Sequence, residues 1–334
     1  MDIGVLGAGT WGIALAKLLC ENRHRVTVWS ALPEEIEWLS GGHEHKNLPG
    51  VKLPRDIKYT ADIEKALRAD FVLFAVPSAF VRSTVRAASQ FLREGQIIID
   101  AAKGMESETL FTMTEVIADE MKKCGCTFEP KLVALSGPTH AEEVAIGMPT
   151  SVVCACSDEE CAQSAASLFM NSCMRVYTNT DVKGVELCGA LKNIIALASG
   201  MSTGMGYGDN TRAMLITRGI AEMTRMGLAM GCKRRTFMGL AGIGDLIVTC
   251  TSQHSRNNRC GEYIGRGMTY KEASEKVGMV VEGYYALEAA VELSRKYGEP
   301  LPIISAVYDV VMNGRKPEDA LDALMTRAMR SELD

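Results

Sequence analysis

Two rhythms of apolar residues divide this chain. Up to about residue 180, short apolar or β-branched runs at Ile3–Leu6, Arg25–Trp29, Phe71–Ala75, Gln96–Asp100, Leu132–Ser136, Ser151–Ala155 and Met174–Tyr177 each predict a strand. The near-continuous apolar content of several suits a parallel sheet covered on both faces. Trp11–Leu19 and Asp158–Phe169 carry helical spacing between the strands. Beyond Thr180 the helical spacing takes over: Val182–Gly200, Ala213–Leu228, Val281–Tyr297 and Pro317–Met329 predict helices, with a shorter one at Tyr270–Lys276. The pattern therefore predicts an α/β domain over 1–181 and an all-helical domain over 182–334, a division that suits the 334 residues. No low-complexity linker separates them, so a firm interface is expected.

The first turn carries the first chemistry. Gly7-Ala-Gly-Thr-Trp-Gly12 joins a predicted strand to a predicted helix. In such a turn the first glycine permits the bend, the second admits a pyrophosphate to the backbone, and the third lets helix and strand pack closely. The strand before and the helix after favour a Rossmann-type dinucleotide site over an ordinary glycine turn. The helix N-terminus would supply N–H groups to the phosphates. The second strand is followed by Ser30-Ala31, with no carboxylate there for a ribose hydroxyl; Glu34 and Glu35 fall late in the chain for that task. Arg23 and Arg25 are candidates for a 2′-phosphate, or simply solvated charges beside a surface turn. NAD and NADP both stay open.

Further candidates lie past later strands. Lys103 follows the Gln96–Asp100 strand, where it would face substrate or phosphate, or else be a surface lysine. Lys192 is the outlier of the helical half: Cys188, Ile195 and Ala196, at i−4, i+3 and i+4, put its amine on an apolar face. Desolvation there favours the neutral amine and opens a route to proton transfer near neutral pH; the competing reading is a snorkelling or structurally paired lysine. Gly239-Leu-Ala-Gly-Ile-Gly-Asp245 is a second glycine-dense segment, in which Asp245 is suited to orient a lysine or a hydroxyl. Ser255-Arg-Asn-Asn258 offers a hydroxyl, a guanidinium fork and amides suited to phosphate, and also reads as a helix cap.

Composition narrows the class. Hydrophobic types make up 47% and charged types 23%, which excludes dominant disorder. The net charge of −5 gives no global attraction to nucleic acid or acidic membranes. The eleven cysteines, without metal-ligand spacing, read as reduced thiols; no metal is expected. With no leader pattern at Met1–Leu6 and no long apolar run, the expectation is a cytoplasmic protein without integral membrane association.

Taken together, the motifs resemble the NAD(P)-dependent glycerol-3-phosphate dehydrogenase family of the bacterial type. The resemblance runs in order through Gly7–Gly12, Asn47-Leu-Pro-Gly50, Val76-Pro-Ser78, Lys103-Gly104, Ser136-Gly-Pro-Thr139 and Leu191-Lys-Asn193. It continues through Gly239–Leu246, Thr249-Cys250, Ser255-Arg-Asn257 and Val281-Glu-Gly283. It implies hydride exchange between a nicotinamide, from NAD or NADP, and a small phosphorylated three-carbon substrate. Lys192 would transfer the proton, with Lys103 and Asp245 organising the substrate. Gly137, Thr139, Ser255, Arg256 and Asn257 would complete the substrate site. Gly7, Gly9, Thr10, Trp11, Gly12, Lys103, Ala141, Arg256, Val280 and Glu282 would meet the nucleotide. It also implies a homodimer and a place in glycerophospholipid biosynthesis. A dehydrogenase for another small hydroxy acid, and a nonenzymatic nucleotide sensor on the same scaffold, are the alternatives.

Overall fold

A computed structural model describes residues 1–329, 331 and 332. Eight strands form one sheet: β1 (Asp2–Leu6), β2 (Arg25–Trp29), β3 (Lys58–Thr60), β4 (Phe71–Phe74), β5 (Ile97–Asp100), β6 (Lys131–Ser136), β7 (Thr150–Ala155) and β8 (Met174–Asn179). Their order is β3-β2-β1-β4-β5-β6-β7-β8. Neighbours run parallel except β6 and β7, so the last two strands point the other way. The first six strands therefore end at one edge, with Leu6 level with Trp29 and Phe74, and Phe74 level with Asp100. Between β1 and β4 the strand order reverses direction, and a crevice opens beyond the carboxyl ends at such a reversal.

Both sheet faces are covered. Ile3, Val5, Val28 and Leu73 pack with Ile13, Leu15 and Leu19 of the Thr10–Glu21 helix on one face. Leu6, Val72, Phe74 and Ile98 pack with Val81, Val85 and Ile117 on the other. Burial on both faces is why these strands are continuously apolar rather than alternating.

The helical half is built around the Val182–Gly204 helix, buried along almost its whole length. A helix apolar all round belongs in the centre of a bundle. The Arg256–Gly265 helix lies directly against it: a Cβ on Gly200 would fall 2.0 Å from the carbonyl oxygen of Asn258, and one on Gly261 would fall 2.2 Å from that of Leu197. Only glycine permits backbones this close, and the contact sets Ser255, Arg256 and Asn257 beside Lys192 and Asn193.

Several expectations need correction. The Pro317 helix ends at Met325, not Met329, because the next turn has nothing to bury: Met329 is 99% exposed. The Ala213 helix begins earlier, at Asp209. The three-residue strand β3 was too short to register, and helices at Asp245–Thr251, Arg256–Gly265 and Pro302–Asn313 were not foreseen. All eleven cysteines are free. Among the described residues no helix is long and apolar enough to cross a membrane.

Candidate active site

The loops after β1, β4, β5 and β6 meet the amino-terminal ends of the Arg256–Gly265 and Glu282–Tyr297 helices around a cleft of about 350 Å³. A larger hollow of about 460 Å³, lined by Arg218, Glu222, Arg225 and Leu324 among others, contains none of the site residues expected from the sequence.

At the sheet end of the cleft, Gly7 has φ +123° and a Cβ there would sit 2.8 Å from the carbonyl of Ala75, so the turn requires glycine. A Cβ on Gly9 would meet nothing within 4 Å: the backbone is bare on its cleft side. No side chain caps the Thr10–Glu21 helix, so its leading N–H groups are free for an anion. Asn47 Nδ2 donates to Thr10 Oγ1 at 3.2 Å, tying a distant loop to this turn. Trp11 lines the cleft, and its buried indole Nε1 has no hydrogen-bond partner among the described residues. A bare glycine, open N–H groups and an orphaned donor fit a pyrophosphate and its attached ribose. Arg23 and Arg25 do not belong to this surface. Arg25 pairs with Asp2 at the opposite, amino-terminal edge of the sheet, its Nη2 donating at 2.6 Å, and Arg23 sits in the preceding turn with φ +64°.

The other end is a closed charge cluster. Asp245, fully buried, heads the Asp245–Thr251 helix just after a π-helical turn over Leu240–Gly244. Its Oδ2 accepts from Lys103 Nζ at 2.8 Å and its Oδ1 from Lys192 Nζ. Lys192, 4% exposed, also donates to Thr249 Oγ1 at 2.7 Å, and that hydroxyl donates to the Asp245 carbonyl at 2.6 Å. Lys103 further donates to the carbonyl of Gly137 at 2.9 Å and to Thr139 Oγ1 at 3.4 Å. Burial, with the Lys103 charge nearby, pushes the Lys192 amine down to about 7 despite the pull of Asp245. Burial acts to raise the Asp245 carboxyl, but the two ammonium groups outweigh it and hold the group below its usual range. An ammonium has three N–H donors; Lys192 spends two on Asp245 and Thr249 and keeps one for the cleft.

Between the ends lies the Ser255–Asn257 segment. Ser255 caps its helix, accepting from Asn258 N at 3.2 Å, so the cap and phosphate readings coexist: its hydroxyl proton is still available. Asn257 is more occupied than expected, donating to Asn193 Oδ1 at 3.0 Å and accepting from Gly283 N at 2.8 Å; one amide hydrogen remains. Arg256, half-buried, makes no hydrogen bond with another described residue and points its charge toward a lined but open cleft. Glu282 accepts from Ser78 N at 3.1 Å and from Ser78 Oγ, which latches the helical half to the loop after β4. Burial raises the Glu282 carboxyl while Ser78 and the Arg256 charge oppose the shift. Ala141 and Val280 line the cleft.

Of the expected residues, Gly9, Thr10, Trp11, Lys103, Thr139, Ala141, Lys192, Ser255, Arg256, Asn257, Val280 and Glu282 line one cleft, whereas Gly7, Gly12, Gly137 and Asp245 do not reach its lining; the cleft adds others. Thr249 was visible only as part of a motif; its position four residues after Asp245 on one helix face was the available signal. His140 and His254 also line the cleft, with ring centres 5.7 Å apart. No local pattern pointed to them.

Comparison with known proteins gives a consistent result. Residues 2–162 match the family model for the NAD-dependent glycerol-3-phosphate dehydrogenase N-terminus, and residues 181–322 match that for its C-terminus. A protein of Lactobacillus delbrueckii subsp. bulgaricus named glycerol-3-phosphate dehydrogenase (NAD(P)+) 2 is 56% identical over 99% of this chain and 98% of its own. One of Agathobacter rectalis named glycerol-3-phosphate dehydrogenase (NAD(P)+) is 48% identical over 99% and 97%. The crystal structure of glycerol-3-phosphate dehydrogenase from Coxiella burnetii superposes with a TM-score of 0.92 at 33% identity, covering 97% of this chain and 98% of the other.

Proposed function

The chain belongs to the NAD-dependent glycerol-3-phosphate dehydrogenase family, and from that premise we propose how its residues divide the work of reducing dihydroxyacetone phosphate reversibly to sn-glycerol 3-phosphate with NADH or NADPH. The nicotinamide ring, when bound, supplies or accepts the hydride at substrate C2. All other steps belong to the protein. The Gly7–Gly12 turn, Thr10, Trp11, Ala141 and Val280 hold the nucleotide. Arg256, with the free donors of Ser255 and Asn257, holds the substrate phosphate, since a guanidinium makes paired charge-assisted bonds to such a group. Gly137 and Thr139, through their bonds to Lys103, fix the third wall of the substrate site.

Lys192 handles the proton. In reduction its ammonium donates the third N–H to the C2 oxygen, stabilises the charge growing there and gives up the proton. In the reverse direction the neutral amine takes the hydroxyl proton. Asp245 positions the amine and Lys103 together, and Thr249 fixes the direction of the remaining N–H. The observation that carries this reading is the Lys103–Asp245–Lys192 cluster, with Asp245 and Lys192 buried and Lys103 partly so, opening onto the same cleft as the bare glycine turn. An amine poised near 7 serves both directions, because each form is present near neutral pH.

The same reading divides the chain into a nucleotide-binding unit, 1–181, and a substrate unit, 182–334; the passage from β8, ending at Asn179, to the helix starting at Val182 supports it. It also puts a homodimer in the cytoplasm, supplying phospholipid precursor synthesis. Sedimentation of the purified protein reads the oligomer.

The direct test of function adds dihydroxyacetone phosphate to purified protein and reduced nicotinamide nucleotide and follows nucleotide absorbance. Rapid loss of absorbance is expected. Turnover of hydroxy-acid partners such as 2-oxo acids, with none of the triose phosphate, would overturn the assignment.

A further inference from the structure

In a doubly wound sheet the adenosine ribose lies beyond the carboxyl end of the second strand. Whatever charge the protein fixes there decides whether that ribose carries a bare 2′-hydroxyl or a 2′-phosphate. Here β2 ends at Trp29, and the next residue, Ser30, is buried. Its hydroxyl accepts from Leu32 N at 3.1 Å and donates to Glu35 Oε2 at 2.7 Å. Glu35 is late in the sequence but not in space: the Pro33–Ser40 helix starts immediately past the strand and turns its first-turn carboxylate back to the strand end, where it lines the cleft. No cation pairs with Glu35 among the described residues, and its other carboxylate oxygen is without a hydrogen-bond partner.

Among the described residues no fixed positive charge is bonded to Glu35. Arg25 is committed to Asp2 at the far edge of the sheet. His45, which also lines this corner, accepts from Asn47 N through Nδ1 at 3.2 Å; burial keeps the imidazole below its usual range, outweighing the pull of the Glu35 carboxylate, which favours the charged form. Lys46 follows in the loop, but its Nζ stands 6.0 Å from the centre of the exposed Trp38 ring and Lys46 does not line the cleft.

We propose that Glu35, braced by Ser30, selects NAD(H) over NADP(H) in this chain: its carboxylate accepts from the ribose 2′-hydroxyl and repels a 2′-phosphate. The inference rests on the reading of the cleft as a nicotinamide-nucleotide site and goes beyond the undivided NAD(P) of its relatives.

Binding, not turnover, provides the test. Purified protein is titrated separately with NADH and NADPH in the absence of substrate, following nicotinamide fluorescence. The expected dissociation constant for NADPH is about a hundredfold weaker than for NADH, the combined result of one lost hydrogen bond and one like-charge contact. Glu35→Gln removes the charge and preserves the shape, and should narrow the ratio to below about tenfold, chiefly by tightening NADPH. Equal affinities in the unaltered protein, or an unchanged ratio in Glu35→Gln, would overturn the selection by Glu35 while leaving the site itself intact. Failure of both nucleotides to bind would instead remove the site and the proposal with it.

Discussion

At the reacting end of the cleft, Lys103, Lys192 and Asp245 each bond to the others or to a neighbouring hydroxyl or carbonyl. At the nucleotide end the glycine backbone is bare, the helix N-terminus is uncapped and the Trp11 donor has no partner. On the proposed roles, the contrast follows from what each end must do. A proton-transfer group has to be aimed before substrate arrives, because reorganising charges during reaction costs rate. A binding group has to be left unsatisfied, because its partner is the ligand. Damage to the first end should therefore appear in turnover, and damage to the second in affinity.

The largest effect is expected from Lys192→Ala. Loss of a positioned general acid typically removes about 10²–10⁴-fold of rate, so kcat should fall by that order while NADH affinity, read by fluorescence, stays within about twofold. A variant with near-normal kcat would erase the distinction between the two ends. Acidity probes the same end without mutation. With its amine near 7, Lys192 is charged below that value and neutral above it. On the proposed mechanism reduction needs the charged form, so kcat/KM for dihydroxyacetone phosphate should decline by about tenfold per pH unit well above 7, whereas oxidation of glycerol 3-phosphate should gain as pH rises to the same point. Parallel profiles in the two directions would take the proton from Lys192.

Arg256 lies between the ends and sharpens the comparison. Among the described residues it has no hydrogen bond to give up, so Arg256→Ala should leave the cluster standing and cost mainly substrate affinity. A charge-assisted bond is worth roughly 1.5–3 kcal/mol, which predicts a KM raised about ten- to hundredfold in steady-state assays. An unchanged KM would remove Arg256 from the phosphate site.

The two ends also differed in how far the sequence revealed them. Gly7–Gly12 was legible because its glycines, strand and helix are consecutive. Gly239–Gly244 has equal glycine density, yet it forms a π-helical turn in which a Cβ on Gly242 would fall 2.1 Å from the Phe237 carbonyl. Gly242 serves close packing in the turn that leads into Asp245. The helix beyond was hidden because Leu246-Ile-Val-Thr-Cys250 has the composition of a strand, and only burial of Leu246, Thr249 and Cys250 against other helices decides the matter. Pairings were not legible at all. Lys103 meets Asp245 across 142 positions and Ser78 meets Glu282 across 204, contacts made by topology rather than by local pattern. The contact of Glu35 with Ser30 at the strand end was hidden for a related reason: distance along the chain is a poor measure of reach when a helix doubles back onto a strand end.

The smallest effect should come from a single unpartnered donor. Trp11 lines the nucleotide end on the proposed reading, and in the free protein its one neutral indole N–H is buried with no partner among the described residues. Trp11→Phe removes it and keeps most of the apolar surface packed beside the Gly7–Gly12 turn. The free protein loses no hydrogen bond and is relieved of an unsatisfied donor, so its melting temperature should hold or rise slightly. The complex loses one neutral hydrogen bond, worth about 0.5–1.5 kcal/mol, so nucleotide should bind roughly two- to tenfold more weakly with kcat at saturation unchanged. A drop in kcat with affinity preserved would be the opposite pattern, and would mean that this indole orients the reacting groups and that the two ends of the cleft are not separable.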